Sequence, residues 1–200
     1  MKIVFATNND HKLREIRNLL GDRLKLVSLK DLSFQEEIPE NYPTLEENSL
    51  FKARFINKIT GLNVFADDTG LEIEALGGRP GVHSARFAGE HKDFQANIDK
   101  VLLLMTGISG RKARFRTVIA LIMEEKEYIF DGEVTGTILE TRRGHQGFGY
   151  DPIFVPDGED LSFAEMSLDE KNKISHRAKA FEKLKLFLSQ YSLHDNKEIK

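Results

Sequence analysis

Apolar residues recur along this chain with two different periods, and the switches between them predict its elements. Lys2 to Ala6 is a short β-rich run; after Thr7-Asn8-Asn9-Asp10 the spacing becomes helical, with Leu13, Ile16, Leu19 and Leu20 on one face and Gly21 as the stop. Leu24 to Leu29 reads as a second strand, and Glu36 to Pro43 as an exposed acidic connection. Thr44-Leu45-Glu46-Glu47 fits a capping box in which Glu47 reaches back to the Thr44 cap, opening a helix that turns Leu50, Phe51, Ile56 and Ile59 inward and ends near Gly61. The apolar run from Val64 then delivers two adjacent carboxylates, Asp67 and Asp68, into a turn with Thr69 and Gly70, and Leu71 to Ala75 alternates as a half-exposed strand. Asp93 caps a helix whose Phe94, Ile98, Val101, Leu102 and Met105 form a core stripe up to Gly107.

The second half is richer in antiparallel signals. Ala113 to Met123 and Glu127 to Thr135 read as long strands joined by the tight Glu124-Glu125-Lys126, a hairpin that Gly136 to Arg143 extends. Ser167-Leu168-Asp169-Glu170 is another capping box, and Ser175-His176-Arg177 opens a last helix with Phe181, Leu184, Phe187 and Leu188 inward. The sheet is therefore expected to be mixed, not doubly wound.

Composition narrows the picture. A chain of 200 residues with 40% hydrophobic content can bury one sizeable core or two lobes sharing a groove. A net charge of -3 argues against coating nucleic acid or an anionic membrane. No cysteine is present, which excludes thiolate chemistry and fits a reducing cytoplasm. No apolar run approaches the roughly 20 residues of a membrane span. The six histidines show no zinc-ligand spacing.

Candidate chemistry sits where polar groups break these patterns. The loop ahead of the first helix offers free backbone amides for a phosphate, with Lys12 one turn in; it also reads as a plain cap by Asn9 or Asp10. Asp67 and Asp68 read either as a turn or, with a distant acid such as Glu47, as a site for a hard cation such as Mg²⁺. Glu47 itself reads as a cap or as a ligand, and Lys52 as an ordinary surface charge. Gly77 to Gly89 has the glycine, arginine and histidine density of a ligand-binding loop, in which Arg86 meets an anion or a structural partner. In Gly147-Phe148-Gly149-Tyr150-Asp151-Pro152, a ring stacked on a flat ligand and a β-turn with a buried aromatic are both open.

The order of these motifs is more telling than any one of them. Thr7-Asn8-Asn9-Asp10-His11-Lys12, Glu47-Asn48, Ala66 to Leu71, Pro80 to Phe87, Gly147 to Pro152 and Ser175-His176-Arg177 together resemble the inosine/xanthosine triphosphate pyrophosphatase family from Lys2 to about Leu188. The resemblance implies an α/β, ITPase-like fold: a long mixed β-sheet with helices forming two lobes around a central substrate groove, as one domain over 1–193 with a polar tail at 194–200. It implies a cytoplasmic, Mg²⁺-dependent homodimer that hydrolyses ITP, dITP and XTP to the monophosphate and pyrophosphate. By position, Thr7, Asn8, Asn9, Asp10, His11 and Lys12 become the triphosphate loop, with Lys52 a helper and Lys12 also catalytic. Glu47 and Asp68 become the metal-binding acids, Asp68 the proton acceptor for water, and Asp67 a supporting acid. Thr69, Phe148, Gly149, Tyr150, Asp151, Lys171, His176 and Arg177 become substrate contacts. Position 8 is Asn where many members carry Gly.

Overall fold

A computed structural model describes residues 2–20, 25–34 and 36–195. Its centre is a curled mixed sheet in the order β2-β1-β3-β5-β6-β7. Strands β1 (Lys2–Phe5), β2 (Lys25–Ser28) and β3 (Val64–Ile73) run parallel, and β5 (Lys112–Met123), β6 (Lys126–Ile138) and β7 (Phe154–Pro156) continue antiparallel from β3. The two-residue β4 (Pro80–Gly81) pairs with the far end of β3. The β5–β6 hairpin turns through Glu124 and Glu125, both at positive φ (50° and 63°), the backbone hand that a tight hairpin requires.

Helices α1 (Asp10–Leu20) and α5 (His176–Asp195) cover one face of the parallel end, packing Leu13, Ile16, Phe181 and Leu184 against Phe5, Phe65 and Leu121. Helix α2 (Leu45–Thr60) covers the other, with Ala53 and Ile56 against Val4, Val64 and Ala66. A separate core gathers Leu71, Ile73, Phe115, Phe154 and Phe163 under α3 (Phe94–Leu104), beyond the middle of β3. Strand β3 thus passes from one core into another, and residues 67–70 lie at the junction.

Local capping chemistry behaves as expected at Asp93, whose carboxylate accepts from Gln95 and Ala96 N–H, and at Ser167, which with Glu170 forms a complete capping box for α4 (Leu168–Ile174). Other expectations need correction. Thr44 caps α2, but the Glu47 carboxylate takes the Thr44 hydroxyl at 2.8 Å instead of reaching back to the backbone. Ile59 is 57% exposed because it falls off the stripe set by Leu45, Ser49, Ala53 and Ile56. The connection before α2 is not simply exposed, since Ile38 is buried in the α2-side core. Helix α5 runs through His194 and Asp195, into the stretch expected as a tail; Gly21, Leu24 and the end of that tail lie outside the described residues.

Candidate active site

The acid pair was expected at a turn, and it lies instead in the middle of a ten-residue strand. Asp67 to Ile73 stay in register with β5, opposite Ile119 to Ala113. A strand sends successive side chains to opposite faces. Asp67 therefore follows Phe65 towards α1 and α5, whereas Asp68 follows Ala66 towards α2.

The open ground beside them is made by where β1 stops. Strand β5 covers one edge of β3 throughout, but β1 pairs with the other edge only at Val64 and Phe65, and β4 rejoins it only at Leu71 and Glu72. Between these points lies a cavity of about 510 Å³, walled by the Thr7 to Lys12 loop, Lys52, Asp68, Thr69, Ser84, Phe148 to Asp151, Lys171, His176 and Arg177. On the uncovered edge the Asp67 carbonyl accepts from Lys52 Nζ at 2.7 Å, which satisfies a backbone acceptor that the sheet leaves free.

Each acid has a different charge environment. Asp67 is 2% exposed, 3.0 Å from Lys12 Nζ and 3.3 Å from Arg177 Nε. Burial pushes its carboxyl up, but Lys12, Arg177 and Lys52 outweigh burial and hold it down at about 2. Asp68 has Lys52 at 3.5 Å from one oxygen, while its Oδ2 is buried without a hydrogen-bond partner. Burial holds the Asp68 carboxyl above its ordinary value against the opposing pull of Lys52 and Lys12. Lys12 is drawn down by burial, with Asp67 opposing, and Lys52 is raised by Asp68 and Glu40 despite burial.

At the loop, Asn9 Oδ1 accepts from His11 and Lys12 N–H at 3.0 and 3.1 Å, so Asn9 is the cap of α1. Asn8 donates to the Glu36 carbonyl, and Asp10 turns outward to Lys30 at 2.7 Å. The His11 ring stacks on Phe148 at 5.0 Å. At the other end Lys171 Nζ bridges Glu15 at 2.8 Å and Asp151 at 2.6 Å, and Asp151 also accepts from Phe148 N–H. Gly147 at φ 73° permits that turn, because a Cβ there would meet Asp151 Oδ2 at 2.1 Å. Tyr150 donates to the Ser84 carbonyl, fixing the Gly-rich loop to this turn. His176 stacks on Phe115 at 4.6 Å, its Nδ1 is buried without a partner, and burial followed by Arg177 and Lys171 keeps the ring neutral by pulling its pKa well below 6.5.

Almost every residue singled out in the sequence meets at this cavity. Glu47 does not line it: it is exposed at the start of α2. Arg86 is held by acids, Glu37 at 2.6 Å and Glu40 at 3.4 Å. Two acids escaped sequence reasoning. Glu40 reaches Lys52 at 2.6 Å from a segment with no periodicity to flag it. Glu15 had a signal, a charge three residues after Lys12 on the inward side of α1.

Comparison with known proteins gives the family: the model of the Ham1 family matches residues 3–187. The chain belongs to the Ham1 family. This Ham1-family chain is 52% identical to a dITP/XTP pyrophosphatase of Porphyromonas gingivalis over 94% of its own length and 97% of that protein. It is 49% identical to a dITP/XTP pyrophosphatase of Bacillus subtilis, over 92% and 96% of the two chains. Its fold superposes on a HAM1 protein from Coxiella burnetii with a TM-score of 0.87 and 40% identity, covering 95% and 99% of the chains. The Staphylococcus aureus Ham1 protein gives 0.86 with 36% identity, over 96% and 100%.

Proposed function

We propose that this chain is a nucleoside triphosphate pyrophosphohydrolase that converts ITP, dITP and XTP to the monophosphate and pyrophosphate. Its relatives, dITP/XTP pyrophosphatases, support the substrate class. The observation that carries the reading for this chain is Asp68 Oδ2, a buried carboxylate oxygen without a partner, on a cavity wall it shares with Lys12 and Lys52.

The roles follow from the chemistry. Lys12 and the Thr7 to Asn9 loop bind the triphosphate, and Lys52 adds positive charge beside Asp68. Asp68 Oδ2 takes the proton of the attacking water as the water oxygen bonds to the α-phosphorus and the α–β anhydride P–O bond breaks, the bridging oxygen leaving with pyrophosphate; a carboxyl held above its ordinary value is a better base near neutral pH. Asp67, committed to Lys12 and Arg177, keeps those cations in place. Phe148 stacks on the base. Lys171 and Arg177 can only donate hydrogen bonds, so they suit a purine 6-keto oxygen and leave a donor facing a donor when adenine presents its amino group, a mismatch of about 1 to 3 kcal/mol.

Asp68 would hold Mg²⁺ through the carboxylate oxygen that does not serve as base, and Glu47, which stands outside the cavity lining, would join it by turning its carboxylate away from the Thr44 hydroxyl. Among the described residues no group of three or more His, Cys, Asp or Glu would hold a metal alone. So sparse a set fits Mg²⁺, which is bound through one or two carboxylates with water and substrate phosphates completing its shell. When bound, the cation neutralises phosphate charge. We further propose a homodimer in the cytoplasm, as the family resemblance implies; light scattering at assay concentration tests the dimer. Among the described residues no helix is long and apolar enough to cross a membrane.

The test is the product released from ITP with Mg²⁺ present, within a panel of ITP, XTP, dUTP and GTP. Pyrophosphate with ITP and XTP preferred is expected. Orthophosphate as the first product, or tight ITP binding without turnover, would overturn the reading.

A further inference from the structure

His11 opens α1 with its backbone N–H held by Asn9 Oδ1 at 3.0 Å, yet its side chain reaches the other end of the cavity. The imidazole lies on the Phe148 ring, with centroids 5.0 Å apart and planes 20° from parallel. Phe94, the first residue of α3, completes the group: its ring stands edge-on to His11 at 6.2 Å and tilted to Phe148 at 6.0 Å. Three segments distant in the chain thus meet through three rings, in the stacked and edge-to-face arrangements that aromatic pairs favour. The same three rings line the substrate cavity and a second cavity of about 440 Å³ bounded by Arg142, His145 and Gln146, so they stand as the partition between the two. Glycines on both sides of Phe148, at φ 73° and 63°, give its ring no neighbouring side chain to steady it. Its direction is set by what packs on it: His11, Phe94, and the cations Lys171 and Arg177, whose Nζ and Cζ lie 5.1 and 5.4 Å from the ring centroid.

We propose that His11 is a positioning residue for Phe148: its imidazole backs the phenyl ring on the side of the second cavity, with Phe94 as the edge support, and leaves the other face of Phe148 ready for the purine. The inference rests on the purine triphosphate reading of the cavity. It moves the His11 side chain from the phosphate end, where its place in the Thr7 to Lys12 loop puts it, to the base end. The physical gain is preorganisation. A ring already held in its bound direction loses less rotamer freedom when the ligand arrives, and that saving appears as affinity. Flat, apolar contact is what this role demands of residue 11, so a phenyl ring serves it as well as an imidazole does. A role in binding phosphate demands the reverse, because a phenyl ring has no N–H to donate.

The experiment is steady-state hydrolysis of ITP with Mg²⁺ by the wild type, His11→Ala and His11→Phe, with inorganic tripolyphosphate as a competing ligand that has phosphates but no base, and calorimetric Tm for each. For His11→Ala the ITP KM is expected to rise about fivefold with a much smaller change in kcat, the size of one aromatic pair. Inhibition by tripolyphosphate should stay within about twofold of wild type, and His11→Phe should return the ITP KM to near the wild-type value. Equal losses of ITP and tripolyphosphate affinity, without rescue by His11→Phe, would place His11 at the phosphates and overturn the inference. An unchanged or lower ITP KM in His11→Ala, whatever its Tm, would overturn it too, since the ring would then be scaffold or an obstacle to the base. Where tripolyphosphate gives no inhibition, the His11→Phe rescue decides; if His11→Ala does not fold, His11→Gln, which keeps hydrogen-bonding groups without a ring, takes its place. A wild type that does not hydrolyse ITP overturns the substrate reading and this inference together; an ITP-hydrolysing wild type matched by its variants overturns this inference alone.

Discussion

Arg177 Nε lies 3.3 Å from Asp67 Oδ2, joining residues 110 positions apart in the chain. Lys12 meets the same carboxylate from near the N-terminus. Asp67 is thereby compensated from two helices, while Asp68, on the opposite face of the same strand, keeps an oxygen with no partner. Two acids that look equivalent in the sequence are expected to respond to substitution in opposite ways.

Asp67→Asn leaves two buried cations facing a neutral amide. The expected loss is about 3 to 5 kcal/mol of stability, as for breaking one member of a buried ionic network, measured by urea unfolding at neutral pH. The pH dependence has a definite sign. The Asp67 pKa falls from 3.8 to about 2 on folding, so its contribution is fully present above 3.8 and is lost as pH drops through about 2. The gap between wild type and variant should therefore narrow at acid pH by about 2.5 kcal/mol; a constant gap would mean the carboxylate is not ionised in the fold.

Asp68→Asn removes a buried charge that lacks a full set of partners, so the Tm should hold or rise. Turnover of ITP should drop by about 10² to 10⁴, the usual contribution of a positioned general base. Calorimetry beside a pyrophosphate-release assay separates the two effects. Equal losses in activity and Tm would assign Asp68 to the scaffold.

Much of this architecture is local and so was readable. Asp93 and Ser167 each place an oxygen where the N–H groups of the next turn need it, and the hairpin follows from two long apolar runs with a short polar break. The acid pair misled because Asp-Asp-Thr-Gly carries turn chemistry, yet the strand continues: its partners, Ile119 to Arg116 on β5, lie some fifty residues away and impose the register. Register also decides which acid faces which helix, and no local pattern contains it. Glu40 was invisible for a related reason, since an aperiodic connection does not announce which side chain it buries against Lys52.

His176 predicts a second pH effect. The unfolded imidazole takes a proton near 6.5, whereas the buried ring, facing Arg177, Lys171, Lys12 and Lys179, resists it. Below 6.5 the unfolded state binds more protons, so stability falls as the pH falls, by about 1.4 kcal/mol per unit for one group. His176→Phe keeps a ring against Phe115 and removes that titration. Between about pH 6.5 and 5 the variant should lose roughly 2 kcal/mol less than the wild type; parallel chemical-denaturation curves would show that the native ring accepts the proton.

Gly132 offers a test of how β6 places the base end of the cavity. A Cβ at this position would lie 2.2 Å from the His176 carbonyl and 2.4 Å from Ala180 N, both backbone atoms of α5 that no rotamer change can clear. Gly132→Ala must therefore push the first turn of α5 off the sheet, carrying His176 and Arg177 with it. The expected cost is about 1 to 3 kcal/mol or more, as for overpacking, together with a raised KM for ITP because Arg177 loses its register with Asp67 and Glu15. Gly110→Ala is the matched control. Nothing lies within 4 Å of its built Cβ, so its stability should stay within about 0.5 kcal/mol of wild type. If Gly132→Ala matched that control in Tm and KM, α5 would have slack against β6, and the placement of Arg177 would have to come from its ion pairs alone.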